Sequence, residues 1–115
     1  MTRKDFEKDL RQALQSLPKA FREKLRNIQV VIDDKPARGK RASLLGLYEG
    51  VSLNERTGDY SMVMHDTITL FKRAIEAECK AKKLDIREEI KRTVEHEIAH
   101  HFGISDEKLK KLGLY

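Results

Sequence analysis

The segment from Asp85 to Gly103 constrains the fold more than any other part of the chain. Asp85 with Glu88 three residues later has the form of a capping box, and no proline interrupts the run that follows. At about 100° per residue, Ile86, Ile90, Val94, Ile98 and Phe102 form an apolar stripe that drifts slowly round the predicted helix. The helix must therefore pack along that stripe. His96 and His100 fall on its flank, only about 40° apart, so the helix can join a core and still present two imidazoles to a cleft.

Those histidines belong to the run His96-Glu97-Ile98-Ala99-His100. Two imidazoles one helical turn apart can grip a single ion, while Glu97 points about 60° from His100 and so stands beside the ion rather than on it. A zinc site that keeps one position open for water needs three protein ligands, and two histidines with one carboxylate are an established set. Gly103 follows His100 by three residues and Asp106 follows it by six, giving His-Glu-x-x-His-x-x-Gly-x-x-Asp. A glycine at that point can take the left-handed conformation that ends a helix and turns the chain back. The expected metal ligands are thus His96, His100 and Asp106, the expected cofactor is Zn2+, and Glu97 is the expected catalytic carboxylate. Beyond Asp106 the only other acidic residue is Glu107.

Composition limits the setting of this motif. The 115 residues include 24 Lys or Arg and 19 Asp or Glu, a formal net charge of +5. That length suits a single domain spanning 1–115, and 39% apolar residues suffice for one modest core. No apolar run approaches the roughly 20 residues that cross a bilayer, and the Met1 end opens with charged residues, so a cytoplasmic protein with no membrane partner is expected. One cysteine, Cys79, forms no internal disulfide and supplies no multi-cysteine cage; it reads as a small core residue. The basic stretch from Lys35 to Arg41 reads as a solvated loop, although such charge also permits contact with nucleic acid.

The remaining elements follow from periodicity. Thr2 with Asp5 resembles a capping box ahead of Phe6, Leu10, Ala13, Leu14 and Leu17, which recur at helical spacing up to Pro18. Phe21 and Leu25 continue for another turn or two, and Ile28 to Ile32 is short and β-branched enough for a buried strand. Leu44 to Tyr48 reads as a strand, Asn54 to Asp59 as a turn about Gly58, and Tyr60 to Leu70 as one or two further strands in which Met62 and Met64 pack. Arg73 to Lys83 is helical in pattern, and a last short helix opens at Ser105 or Asp106. His101 lies about 100° round the helix from His100 and suits the helix C-terminus electrostatically, while His65 reads as an exposed turn residue.

Together, the metal motif, Leu44-Leu45-Gly46-Leu47-Tyr48-Glu49-Gly50, Glu55-Arg56-Thr57-Gly58-Asp59-Tyr60-Ser61 and Thr67-Ile68-Thr69-Leu70 resemble the small bacterial mini-zincins, zinc metallopeptidases that keep little more than the zincin core. The likeness runs from about Ile28 to the C-terminus. It implies an α+β fold, a minimal zincin-like domain whose small mixed sheet packs on a backing helix and an active-site helix. Carried over position by position, it implies His96, His100 and Asp106 as ligands and Glu97 as catalytic. The motif also resembles the metzincin signature, which more often has histidine at the place of Asp106 and a methionine turn beneath the metal; here no methionine follows Met64.

The function expected from these residues is hydrolysis of peptide bonds, with Glu97 as general base toward a water acidified by zinc, acting on a peptide or protein substrate. Tyr48, Tyr60, Arg73 and Tyr115 are candidates for the oxyanion donor. Two other readings compete. One is a metal-dependent RNA hydrolase, because bacterial rRNA-maturation endonucleases share a His-x-x-x-His-x-x-Gly pattern, though they lack the glutamate after the first histidine. The other is a non-catalytic structural zinc domain that binds a partner, with His65 as a possible fourth ligand.

Overall fold

A threonine cap starts the chain's first helix. Thr2 Oγ1 accepts a hydrogen bond from the Asp5 amide at 3.1 Å, and helix α1 runs over Arg3–Gln15 with Phe6, Leu10 and Ala13 on its buried face. The computed structural model describes residues 1–36, 39, 43–50, 65–103 and 107. The expected turn about Gly58, the expected packing of Met62 and Met64, and the expected helix from Ser105 or Asp106 lie outside those residues.

Pro18 occupies the N-cap of a short second helix, α2 (Lys19–Lys24), where its missing N–H costs nothing. A single 3-10 turn then leads into strand β1 (Ile28–Asp33). Strand β2 (Gly46–Glu49) and strand β3 (Asp66–Phe71) complete a mixed three-stranded sheet in the order β1-β3-β2. β1 runs parallel to β3 with Ile28 opposite Asp66 and Asp33 opposite Phe71. β2 runs antiparallel to β3 with Gly46 opposite Leu70 and Glu49 opposite Thr67. The central strand takes most of the burial, through Ile68, Leu70 and Phe71. β1, expected to be buried, is instead half-buried to exposed along its length; among the described residues it lies at the edge of the sheet, with β3 as its one neighbour.

Two helices follow. α3 (Lys72–Lys82) ends at Lys83, which adopts the left-handed conformation with φ of 55°, and buries Ile75 and Cys79. α4 (Ile86–His101) opens on Asp85, whose side chain accepts from the Glu88 amide at 3.2 Å as the capping pattern requires. α4 is the hub of the fold: it packs against α1, α2, α3, β2 and β3. Ile90, Val94 and Ile98 are fully buried along its stripe and join Phe6, Ile68, Leu70 and Ile75 in one apolar cluster. Each such side chain contributes about 1.5–3 kcal/mol relative to an exposed one. Arg87 also pairs with Asp9 at 3.1 Å, tying the start of α4 to α1.

The stripe breaks at Phe102. That ring is 46% exposed and sits beneath the Lys24 ammonium, 4.0 Å from its centre, rather than in the core. The slow drift of a four-residue stripe explains this, since after four turns the last position has rotated away from the face that began at Ile86. Gly103 then takes a φ of +70°, the left-handed turn that its place after the helix suggested.

Candidate metal centre and catalytic cleft

Half-buried His96 and exposed His100 line one cleft with half-buried Glu97. The cleft holds about 260 Å³ and is bounded further by Leu44, Leu45, Gly46, Glu89, Arg92 and Thr93. Helix α4 supplies one wall, and the start of β2 with the residues before it supplies the other.

The two imidazoles stand edge to face, with ring centres 5.7 Å apart and planes inclined at 73°. An ion about 2.1 Å from a ring nitrogen lies roughly 3.2 Å from the ring centre, so two rings at a tetrahedral angle have centres about 5.3 Å apart. The observed spacing therefore fits two nitrogens of one zinc shell with a few tenths of an ångström to close. Among the described residues no third His, Cys, Asp or Glu joins them in a group able to hold a metal. Asp106, the expected third ligand, lies outside the described residues. His65, considered as a fourth ligand, is exposed, and His101 turns to another partner.

Glu97 is held from the sheet. Its Oε1 accepts the Tyr48 backbone N–H at 3.0 Å, a bond that links the middle of β2 to the helix between the two histidines. That bond occupies one oxygen of a carboxylate whose residue lines the cleft. Close approach of strand and helix is possible because residue 46 is glycine: a Cβ there would lie 2.8 Å from Thr93 Cγ2, 3.3 Å from the Thr69 carbonyl oxygen and 3.5 Å from Glu97 Cγ. Thr93 is itself fixed, its hydroxyl donating to the Glu89 carbonyl at 2.7 Å.

A second layer braces the end of the helix. Tyr48 Oη donates to Asp66 Oδ2 at 2.6 Å, and the Tyr48 ring stacks on His101 at 3.9 Å between centres. His101 Nε2 is 4.0 Å from the same Asp66 oxygen. Tyr48 was one of four candidate oxyanion donors; its hydroxyl is committed to Asp66. Arg73 is exposed on α3 and does not line the cleft, and Tyr60 and Tyr115 lie outside the described residues.

Two buried acids stand near the metal motif. Burial raises the Glu95 carboxyl above its ordinary range; Lys91 opposes that rise and Glu88 adds to it. Glu89 is only 5% exposed and lines the cleft two turns before His96. Burial, followed by the charge of Glu89, pushes the Cys79 thiol up to about 11, so Cys79 serves as an inert core residue.

Sequence reading alone passed over Gly46, Asp66, Glu89 and Thr93. Gly46 carried a usable signal, since a glycine inside an apolar strand marks close approach by another backbone or side chain. Glu89 also had one: it stands seven residues before His96 and so shares its face to within about 20°. Asp66 and Thr93 acquire their roles only through the strand register and the packing of α4.

A family model described as zincin-like metallopeptidase matches residues 25–114 of the chain. No curated protein matches it significantly. Among the described residues, no helix is long and apolar enough to cross a membrane.

Proposed function

The chain belongs to the zincin-like metallopeptidases, and from that premise we propose that it hydrolyses peptide bonds with Glu97 as general base. The observation that carries this reading is the seat of Glu97: a carboxylate oriented by the Tyr48 N–H, in the same cleft as His96 and His100. We assign His96, His100 and Asp106 as the ligands of a zinc ion. When bound, such an ion supplies Lewis acidity, polarising a carbonyl and bringing the pKa of water toward about 7.

The chain's own residues do the rest. Glu97 takes the proton of the attacking water through the carboxylate oxygen not bonded to Tyr48, then delivers it to the departing amine. The Tyr48 bond fixes the carboxylate so that little reorganisation precedes proton transfer. Leu44 and Leu45 supply apolar wall on the strand side of the cleft, which favours an extended peptide over a heavily hydrated ligand.

The test compares wild type with Glu97→Gln, measuring bound zinc and turnover on a mixed peptide library. Equal zinc in both proteins with turnover lost in the variant is the expected result. Peptide hydrolysis that persists in Glu97→Gln would overturn the role of Glu97. Zinc-loaded wild type that cleaves no peptide would favour a structural metal, and salt-sensitive RNA cleavage would favour the nuclease reading.

A further inference from the structure

Helix α4 turns a buried carboxylate into the same cleft, and that group has no use in the reaction above. Glu89 is 5% exposed, yet it lines the cleft beside Leu44, Leu45 and Thr93. Among the described residues its carboxylate accepts no hydrogen bond and joins no ion pair; its backbone N–H donates to the Asp85 carbonyl and its own carbonyl accepts from Thr93. Arg92, one turn on, is exposed and forms no ion pair with it. Lys82 feels the Glu89 charge, but its ammonium is bonded to Glu78. With no cation paired to it among the described residues, a carboxylate that lines a cleft is free to meet a cation carried in by a ligand.

We propose that Glu89 is a specificity-determining residue: it closes a subsite for the positively charged side chain of a lysine or arginine in the substrate peptide. The inference rests on the peptidase reading for its substrate class. Three features carry it. Glu89 lies on the His96 face of the helix, two turns away, or about 10 Å along the axis. A lysine or arginine side chain spans roughly 6–7 Å from Cα to its charged end, so a residue adjoining the scissile bond can place its carbonyl at the histidines and its cation near Glu89. Leu44 and Leu45 line the same cleft and suit the methylene stem of such a side chain.

The test separates binding from chemistry. Nα-acetyl-lysine amide, Nα-acetyl-arginine amide and uncharged Nα-acetyl-norleucine amide are titrated into wild type and Glu89→Gln, without and with zinc, and followed through the backbone amide NMR signals of residues 89–97. The expected result is that wild type binds the two cationic amides at least tenfold more tightly than the norleucine amide, and that this margin vanishes in Glu89→Gln. Equal affinity for the charged and uncharged amides in wild type overturns the proposal without recourse to any variant, as does a margin that survives in Glu89→Gln. For peptides differing at one position, the preference should reside in KM rather than kcat. Peptide hydrolysis with no cationic margin removes the subsite and leaves the peptidase reading; a cationic margin in a protein that hydrolyses no peptide removes the peptidase reading and leaves the subsite.

Discussion

Replacing Gly46 by alanine should test how β2 and α4 meet. The added Cβ would lie 2.8 Å from Thr93 Cγ2, a distance that real Cβ contacts do not show, and 3.3 Å from the Thr69 carbonyl oxygen. Thr93 cannot step aside cheaply, because it is β-branched, buried, and anchored by its 2.7 Å hydrogen bond to the Glu89 carbonyl. Overpacking of this kind costs about 1–3 kcal/mol. Gly46 does not use a positive φ, so alanine also gains about 0.4–1 kcal/mol by restricting the unfolded chain. The net expectation is a loss of roughly 0.5–2 kcal/mol, or a fall in Tm of about 2–8 °C for a domain of this size. Thermal unfolding of Gly46→Ala, Thr93→Ser and the double variant forms a cycle, since serine keeps the hydroxyl and deletes the obstructing methyl. In the Thr93→Ser background the alanine should cost little or become stabilising, giving a coupling of about 1 kcal/mol. An equal cost in both backgrounds, or a neutral Gly46→Ala in wild type, would refute the proposed contact.

Two further substitutions probe the surroundings. Tyr48→Phe keeps the ring on His101 but removes the 2.6 Å bond to Asp66; with partial exposure discounted, unfolding in urea should show a loss of about 1–2 kcal/mol, and an unchanged midpoint would deny that bond a role. Burial raises the Glu95 carboxyl, so on acidification the folded chain takes up this proton before the unfolded chain does, and the cost of the buried charge disappears. Glu95→Gln should therefore raise Tm near pH 8, with a gain that shrinks toward pH 4; a variant less stable than wild type near pH 8 would contradict this sign.

Much of the architecture was legible because local signals agreed with one another. Thr2 and Asp85 cap their helices as their spacing suggested, the apolar stripe of α4 is buried from Ile90 to Ile98, and Gly103 turns left-handed. Pairing was less legible. Nothing in Ile28 to Ile32 distinguishes an edge strand from a central one, so the half-burial of β1 was not legible and goes with its edge place in the order β1-β3-β2 of the described strands. At the site, the i, i+4 histidines and the intervening glutamate could be read directly. The Tyr48 N–H that seats Glu97 could not be, because backbone donors carry no sequence mark and a partner 49 positions away is set by the tertiary fold. Glu89 was obscured for a different reason: it is one of 19 acidic residues, and only its burial separates it from the solvated ones.

The central claim is a zinc site made from His96, His100 and Asp106. Zinc-edge X-ray absorption on wild type and Asp106→Ala, with bound zinc measured on the same samples, tests it most directly. The account predicts one ion per chain in wild type, in a shell of two imidazole nitrogens and oxygen donors, and a zinc affinity at least a hundredfold weaker in Asp106→Ala. Full zinc occupancy with an unaltered shell in Asp106→Ala, or a sulfur or third imidazole in the wild-type shell, would contradict it.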